Sequence, residues 1–384
     1  MKILFINEST VIKGGVSAVL YSEIEGLKKK GFDVELLDFS HKEFLGKNKF
    51  KTLLLYFSEE RKIRIIKEKV DSFNPNIVHF HNTYPFLRKP FWSNDLFKEV
   101  KVVQHLHNYY PFCLNALFYR DEKICTECFD SDSFLSGIKN SCYDYSKLKS
   151  IFASYNRPTP TQWVKHSKKI DLLLGVSQFV VDKYVELGVD EKKIRTLYNG
   201  VSIGKKKDYY IAGKYILFIG NIVDAKGVEI VCELAERNRD IEFKIAGLGR
   251  RLIILREKYK YLTNLSFEGY VDGERKFILI NNCKFLLFPT KWWEPFGIVI
   301  TEALSLGKYV VTSGLGGTSE LVEEGVTGFI VNDNNINSYE KVVRKLWYNF
   351  VDFNMSIPKQ NEMLLKFSQE THVNNLIKYY KSII

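Results

Sequence analysis

The segment Pro289-Thr-Lys-Trp-Trp-Glu-Pro-Phe-Gly-Ile-Val-Ile-Thr-Glu-Ala-Leu304 holds the residues of this 384-residue chain best suited to chemistry. Phe285–Pro289 reads as a buried strand, followed by a loop containing Pro and Gly and then a helix that begins at Gly297 or Ile298. Free backbone amides at a helix start, reinforced by the helix dipole, hold an anion such as pyrophosphate. Glu294 falls in the loop and Glu302 a turn into the helix, which sets their carboxylates about 10 Å apart. That separation lets the pair bracket a pyrophosphate, one binding sugar hydroxyls and the other a ribose, because a carboxylate accepts two hydrogen bonds from a vicinal diol. Two glutamates eight apart are by themselves ordinary on an exposed, capped helix; the whole loop gives them meaning.

Other groups stand at comparable places. Gly220-Asn-Ile-Val-Asp-Ala-Lys-Gly227 leads from a strand into a helix and would point Lys226 at phosphates. Gly14-Gly15 follows the first strand and lets the backbone approach a ligand closely. It is not the Gly-x-Gly-x-x-Gly fingerprint, which speaks against a nicotinamide-dependent dehydrogenase. His105-Leu-His107-Asn108-Tyr109 ends another strand, and a histidine there is as often structural as functional, as are His79 and His81. Cys125-x-x-Cys128, with Cys113 and Cys142 each within about 15 residues, has the look of a structural tetrathiolate zinc site, with four reduced thiols as the alternative. Disulfides are disfavoured in a reducing cytoplasm, and Cys232 and Cys283 read as core residues.

These loops need strands and helices to aim them. Apolar, β-branched runs alternate with helical stretches, the pattern of a parallel sheet flanked by helices. Lys2–Asn7, Asp33–Asp38, Ile77–His81, Lys101–His105, Leu172–Val176 and Ile194–Tyr198 are the expected strands of the first half. Val16, Val19, Leu20, Ile24 and Leu27 mark a helix after the first of them. Tyr215–Asn221 echoes the opening strand, so a second α/β domain starts there, with strands at Ile241–Ala246, Leu265–Gly269, Phe285–Pro289, Tyr309–Thr312 and Gly328–Val331. The expected organisation is residues 1–203 as one α/β domain, 204–368 as a second, and a last helix in 369–384 packing back on the first.

Taken together, the motifs resemble the family-4 retaining glycosyltransferases of the GT-B fold, whose signature is Glu, seven residues, Glu within a Glu-Pro-Phe-Gly type loop. Glu294 and Glu302 match it in register, and Gly314-Leu-Gly-Gly-Thr-Ser-Glu320 and Glu324-Gly-Val-Thr-Gly-Phe-Ile-Val331 resemble the closing block. Gly175-Val-Ser177 and Asn199-Gly200 carry the resemblance over nearly the full chain. It implies two Rossmann-like α/β domains facing across a cleft, 1–203 binding the acceptor and 204–368 the nucleotide sugar, and a nucleotide-diphosphate sugar as co-substrate with no catalytic cofactor. Glu294 would contact the donor sugar, the amides of Phe296, Gly297 and Ile298 would hold sugar and phosphate, and Glu302 would bind the ribose. Lys226 would balance the charge growing on the departing nucleoside diphosphate, which a lysine can do without a metal. Relatives pair that lysine with an arginine where this chain has Asn221; Arg250 or Arg251, after Gly247-Leu-Gly249, would then supply the charge. Gly14 and Gly15 would lie where donor phosphate and acceptor meet. His107 matches the histidine of a His-Asp pair beside the donor sugar, with Asn108 in place of the aspartate. Some relatives carry a similar cysteine set.

The reaction so implied moves a sugar to an acceptor hydroxyl with retained configuration, the departing phosphate helping to deprotonate the acceptor. No carboxylate is obviously placed as a covalent nucleophile, unlike the two-carboxylate retaining hydrolases. Two rivals fit part of the pattern: a non-hydrolysing nucleotide-sugar epimerase, and a silent sugar-nucleotide-binding subunit, which Asn221 and Asn108 favour.

Composition bounds the partners. A hydrophobic fraction of 45% is enough for two cores and excludes a disordered chain. No apolar run is long enough for a membrane span and the opening residues do not read as a signal peptide, so the expectation is a soluble, cytoplasmic protein. The net charge of +11 is uneven: residues 1–207 hold 34 Lys and Arg against 24 Asp and Glu. Lys42–Lys69, where basic and apolar residues interleave, suits a helix lying on an anionic membrane, and a solvated basic face is the alternative. The inner face of the cell membrane and a saccharide or lipid-linked saccharide acceptor follow as expectations. No zinc-finger spacing, arginine-rich tract or RNA-recognition signature points to nucleic acid.

Overall fold

The computed structural model describes residues 1–8, 15–39, 58–84, 87, 95–155, 157–201, 213–349 and 357–384. The chain forms two compact units: residues 1–118, 125–200 and 369–384 in the first, and 119–124 with 201–368 in the second. Assignment of 119–124 to the second unit differs from the expected boundary. This segment is a hairpin of β5 (Tyr119–Arg120) and β6 (Lys123–Ile124).

The first unit is built on β1 (Lys2–Asn7), β2 (Asp33–Asp38), β3 (Ile77–Phe80), β4 (Lys101–Leu106), β7 (Leu172–Gly175) and β8 (Ile194–Thr196). All pair in parallel, in the order β2-β1-β3-β4-β7-β8, with Ile3 opposite Ile77 and Val103 opposite Leu172. A parallel sheet covered on both faces needs nearly continuous apolar strands, and every residue of β1 but Lys2 is buried. Helix α1 (Gly15–Lys29) buries Val19, Leu20, Glu23 and Leu27 on one stripe. The last helix, Gln369–Lys381, adds Val373, Leu376 and Tyr380 to the core that holds Leu20 and Leu27. The two helices approach closely at Gly26, where a Cβ would lie 2.5 Å from a Val373 methyl.

The described half of the basic segment is α2 (Glu59–Phe73), capped by the Ser58 hydroxyl. It buries Lys62, Ile66, Val70 and Phe73, and Lys62 pairs with Glu59 at 3.0 Å. Lys67 pairs with Asp71, and Lys69 with Glu35. This half is thus a core-packed helix with several of its cations already neutralised; residues 42–57 lie outside the described ones. No described helix is long and apolar enough to cross a membrane.

The second unit carries β9 (Tyr215–Ile219), β10 (Phe243–Ala246), β11 (Leu265–Gly269), β12 (Cys283–Phe288), β13 (Tyr309–Thr312) and β14 (Gly328–Ile330). They are parallel, in the order β11-β10-β9-β12-β13-β14. The order reverses direction between β9 and β12. In open α/β sheets such a switch point opens a crevice at the carboxyl ends of its two strands, where ligands bind.

Candidate functional site

The loops leaving β9 and β12 carry most of the expected donor residues. Beyond β9 the chain runs through Asn221, which is exposed, to a short turn at Asp224–Lys226 and into α3 (Val228–Arg237). Beyond β12 it runs through Pro289–Gly297 into α4 (Ile298–Ser305), so the helix starts where the sequence placed it. The two loops interlock: the Lys291 N–H donates to Ala225 O at 2.8 Å and the Thr290 hydroxyl to the same carbonyl at 3.2 Å. Gly227 sits at φ +67°, and a Cβ there would fall 1.8 Å from Pro289 O, so only glycine allows this approach.

Lys226 and Glu294 meet. The Lys226 ammonium donates to Glu294 Oε2, which also accepts from Trp292 Nε1 at 2.9 Å. The ammonium stands 5.2 Å from the centres of both the Phe288 and Trp292 rings, an aromatic wall that suits a cation. Glu294 is 7% exposed, and its backbone is clamped, accepting from the Gly317 N–H at 2.7 Å and bridging to Gly316. A Cβ on Gly316 would lie 2.3 Å from Glu294 O. The closing block therefore acts as a backrest for the Glu294 loop.

The other expected donor residues are placed differently from one another. Phe296 is buried with its ring edge-on to Phe367, so only its backbone is available to a ligand. Gly297, at φ +99°, caps α4 without any side-chain hydrogen bond, and Ile298 is the first helical residue. Glu302 pairs with Lys276. Arg250 pairs with Asp224, and Arg251 with both Asp224 at 2.9 Å and Glu229 at 3.0 Å. These arginines stand beside the Lys226 turn, with acidic partners already engaged. Gly247 (φ +141°) packs on Gly220, its missing Cβ falling 1.9 Å from Gly220 O. Gly14 lies outside the described residues, and Gly15 opens α1.

In the first unit, His79 of β3 and His105 of β4, with His81 and His107 one residue past the ends of those strands, gather their rings on one face. Glu23 of α1 enters the same face, as do His372 and Tyr380 of the last helix. His107 Nε2 contacts His81 Nδ1 at 3.0 Å, and His81 Nε2 contacts Glu23 Oε2 at 3.0 Å. His372 Nε2 contacts Glu23 Oε1 at 2.8 Å, and its Nδ1 meets the Tyr198 carbonyl at 2.6 Å. His79 Nδ1 lies 2.6 Å from the Tyr380 hydroxyl. Of this set His107 is the one partly exposed. It lines a small pocket with Asn108, Tyr110 and Tyr184.

Burial pushes the His107 ring well below the usual imidazole range, with His105 and His81 adding to it, and the same cause lowers His79. Burial brings His105 down to about 4. For Glu23, burial alone would raise the carboxyl, but His81's attraction and hydrogen bonds from His105, His372 and His81 hold it well below the carboxylate range. Asn108 keeps a turn: its Oδ1 accepts from the Tyr110 N–H at 2.9 Å, and its carbonyl from the Tyr184 hydroxyl at 2.6 Å. The sequence reading missed Glu23, His372 and Tyr380. The signal for Glu23 was present, a carboxylate on the apolar stripe Val19, Leu20, Leu27.

None of the four clustered cysteines is in a disulfide, and Cys113 and Cys128 are buried. Burial pushes Cys113 up to about 11 and raises Cys128, against which the backbone amides of Leu114 and Gly137 act. The Phe118 N–H donates to Cys113 Sγ at 3.4 Å. Yet no three of the sulfurs lie within 4.8 Å of one another. Cys128 and Cys142 pack in an apolar cluster with Leu114 and Phe134. As placed, the thiols do not form a closed tetrathiolate.

The Glycosyltransferase Family 4 model matches residues 13–205, and the Glycosyl transferases group 1 model matches residues 205–350. The chain belongs to Glycosyltransferase Family 4. An uncharacterized 42.6 kDa protein in the cps region of Klebsiella pneumoniae is 31% identical over 156 residues, 40% of this chain and 41% of that one. The O-antigen chain mannosyltransferase C of Escherichia coli is 28% identical over 142 residues, 36% and 38% of the two chains. The chain spans about half the length of the curated relatives it matches. The crystal structure of Anabaena HepE in complex with UDP and glucose superposes with a TM-score of 0.69 at 16% identity, over 100% of both chains. The fold is GT-B, two Rossmann-like α/β domains.

Proposed function

We propose that this protein is a retaining, metal-independent glycosyltransferase that moves a sugar from a nucleotide-diphosphate sugar to an acceptor hydroxyl. The observation that carries the reading is the Lys226–Glu294 pair at the β9/β12 switch point, beside the uncapped start of α4. A phosphate entering there would meet an ammonium and free helix amides, while Glu294 would turn from Lys226 to the sugar hydroxyls. On this reading His107 stands beside the sugar and Glu302 exchanges Lys276 for the ribose. By the family resemblance, Gly14, Gly15, Asn221, Gly247 and Arg250 are proposed as further donor-binding residues. Relatives named for an O-antigen mannosyltransferase and a cps region support cell-surface polysaccharide or glycolipid assembly as the setting. A lipid-linked saccharide at the inner face of the cell membrane is then the acceptor.

The test is product analysis with a panel of UDP- and GDP-sugars and lipid-linked acceptors. The reading expects donor consumption that depends on acceptor, and a product with the donor's anomeric configuration by NMR. Donor converted to an epimer without acceptor would instead identify an epimerase, and donor bound but unchanged would identify a silent binding subunit.

A structural zinc on Cys113, Cys125, Cys128 and Cys142 is a separate proposal, supported by the amide hydrogen bonds to sulfur and requiring the thiols to draw together. One zinc per chain in protein purified without chelator, lost in Cys125→Ser, would bear it out; none in the unmodified chain would refute it.

A further inference from the structure

The contacts around Glu23 fix a proton count. His372 faces two groups that only accept, the Tyr198 carbonyl at 2.6 Å and the Glu23 carboxylate at 2.8 Å, so both of its ring nitrogens must carry hydrogen. His81 Nε2 faces the other Glu23 oxygen at 3.0 Å and must also carry one. One more hydrogen lies between His81 Nδ1 and His107 Nε2, 3.0 Å apart. These four contacts need four hydrogens, and three neutral rings bring three. One extra proton, set against the Glu23 charge, leaves the array neutral overall, the state a buried cluster tolerates best. In that state every hydrogen is spent on an internal contact, and His107 Nδ1 is left bare.

We propose that Glu23, acting through His81 and balanced by His372, is a positioning residue that presents His107 as its Nε2–H tautomer with Nδ1 as a hydrogen-bond acceptor. His107 then accepts a hydrogen bond from a hydroxyl of the bound sugar and has no proton to give. The inference rests on the reading of His107 as the residue beside the sugar. The other groups on this face do not supply the missing hydrogen. His105 is stacked on His107, with centroids 4.3 Å apart, and its Nδ1 faces Glu23 Oε1 at 3.4 Å, so the one hydrogen of its neutral ring is turned to the carboxylate. His79 is turned to the Tyr380 hydroxyl. Glu23, His79, His81 and His105 bring four metal-ligating atoms within 4.8 Å of one another, but Glu23 is met by His81 at 3.0 Å and by His372 at 2.8 Å, which are hydrogen-bond lengths, whereas ligands of a tetrahedral metal stand about 3.3 Å apart.

Nitrogen-15 NMR of the full chain, labelled on its seven histidines and free of substrate, reads the tautomers directly. At neutral pH the expected spectrum has His107 with a protonated Nε2 and a bare Nδ1, and His372 with both nitrogens protonated. In Glu23→Gln the counter-charge is gone, so His372 loses one ring proton and the His107 signals shift. Hydrogen on His107 Nδ1 in the unmodified protein, an unchanged His372 in the folded variant, or a stoichiometric metal on these rings would each overturn the proposal. If Glu23→Gln does not fold, the spectrum of the unmodified protein still decides. Because no donor is present, the result stands apart from whether the protein transfers sugar.

Discussion

At the residue scale, the account rests on a few groups whose surroundings make them chemically competent. Lys226 has aromatic walls, a carboxylate partner that can be exchanged, and a helix start beside it. If it balances charge on a departing phosphate, Lys226→Ala should lower kcat about 10²–10³-fold in folded protein, as for loss of one preorganised stabiliser, and also lower the unfolding temperature by leaving the buried Glu294 without its cation. A change below threefold in steady-state kinetics would remove it from the catalytic set. Glu294 and Glu302 were legible because loop, glycine and helix start recur together in one short stretch. That Glu294 rests on Lys226 and Glu302 on Lys276 was not legible, because each pair joins distant segments. Glu23 and His372 escaped notice for a similar reason: the one looks like a flaw in an apolar stripe, and the other lies on a helix nearly 300 residues from the strands it faces.

At the element scale, the site depends on loops packed backbone to backbone. Gly227→Ala puts a methyl group against Pro289 O and demands a left-handed backbone from alanine, which alone costs about 1–3 kcal/mol. The expected outcome is a lower unfolding temperature together with weaker nucleotide binding, read by calorimetry; a variant with unchanged stability and binding would show that the two loops are not held together there. The last helix is likewise part of the first unit's core, through Val373, Leu376 and Tyr380. Deleting 369–384 should expose that core and yield aggregated protein or a state that binds hydrophobic dyes; a compact monomer with native near-UV dichroism would contradict it. Strand positions were legible because buried parallel strands are nearly continuous apolar runs. Their ends moved by a residue or two, as with β3 ending at Phe80 and β8 at Thr196, because pairing with neighbours decides where a strand stops. The order of strands, and with it the switch point, depends on crossovers that leave no local mark.

For the whole molecule, the two units should respond to different variables, pH for the first and nucleotide for the second. An unfolded chain protonates its histidines below about 6.5 and Glu23 below about 4.5, whereas the folded array holds His79, His105, His107 and Glu23 to lower values. The unfolded state then binds more protons, so the stability these groups contribute is full above about 6.5 and drains away as pH falls toward 4 and below. The urea midpoint of the first unit should drop across that window, and a flat profile would contradict the buried array. Two α/β units were legible from the repeated opening strand, although the transfer of 119–124 to the second was not. The central claim, that the β9/β12 switch point holds a nucleoside diphosphate, is tested most directly by thermal unfolding with UDP, GDP, ADP and NAD beside Lys226→Ala and Glu302→Ala. Ligand at 100 times its dissociation constant adds about 2.7 kcal/mol. The account predicts stabilisation by one or more nucleoside diphosphates, lost or reduced in both variants. No stabilisation by any of them, or stabilisation by NAD alone, would contradict it.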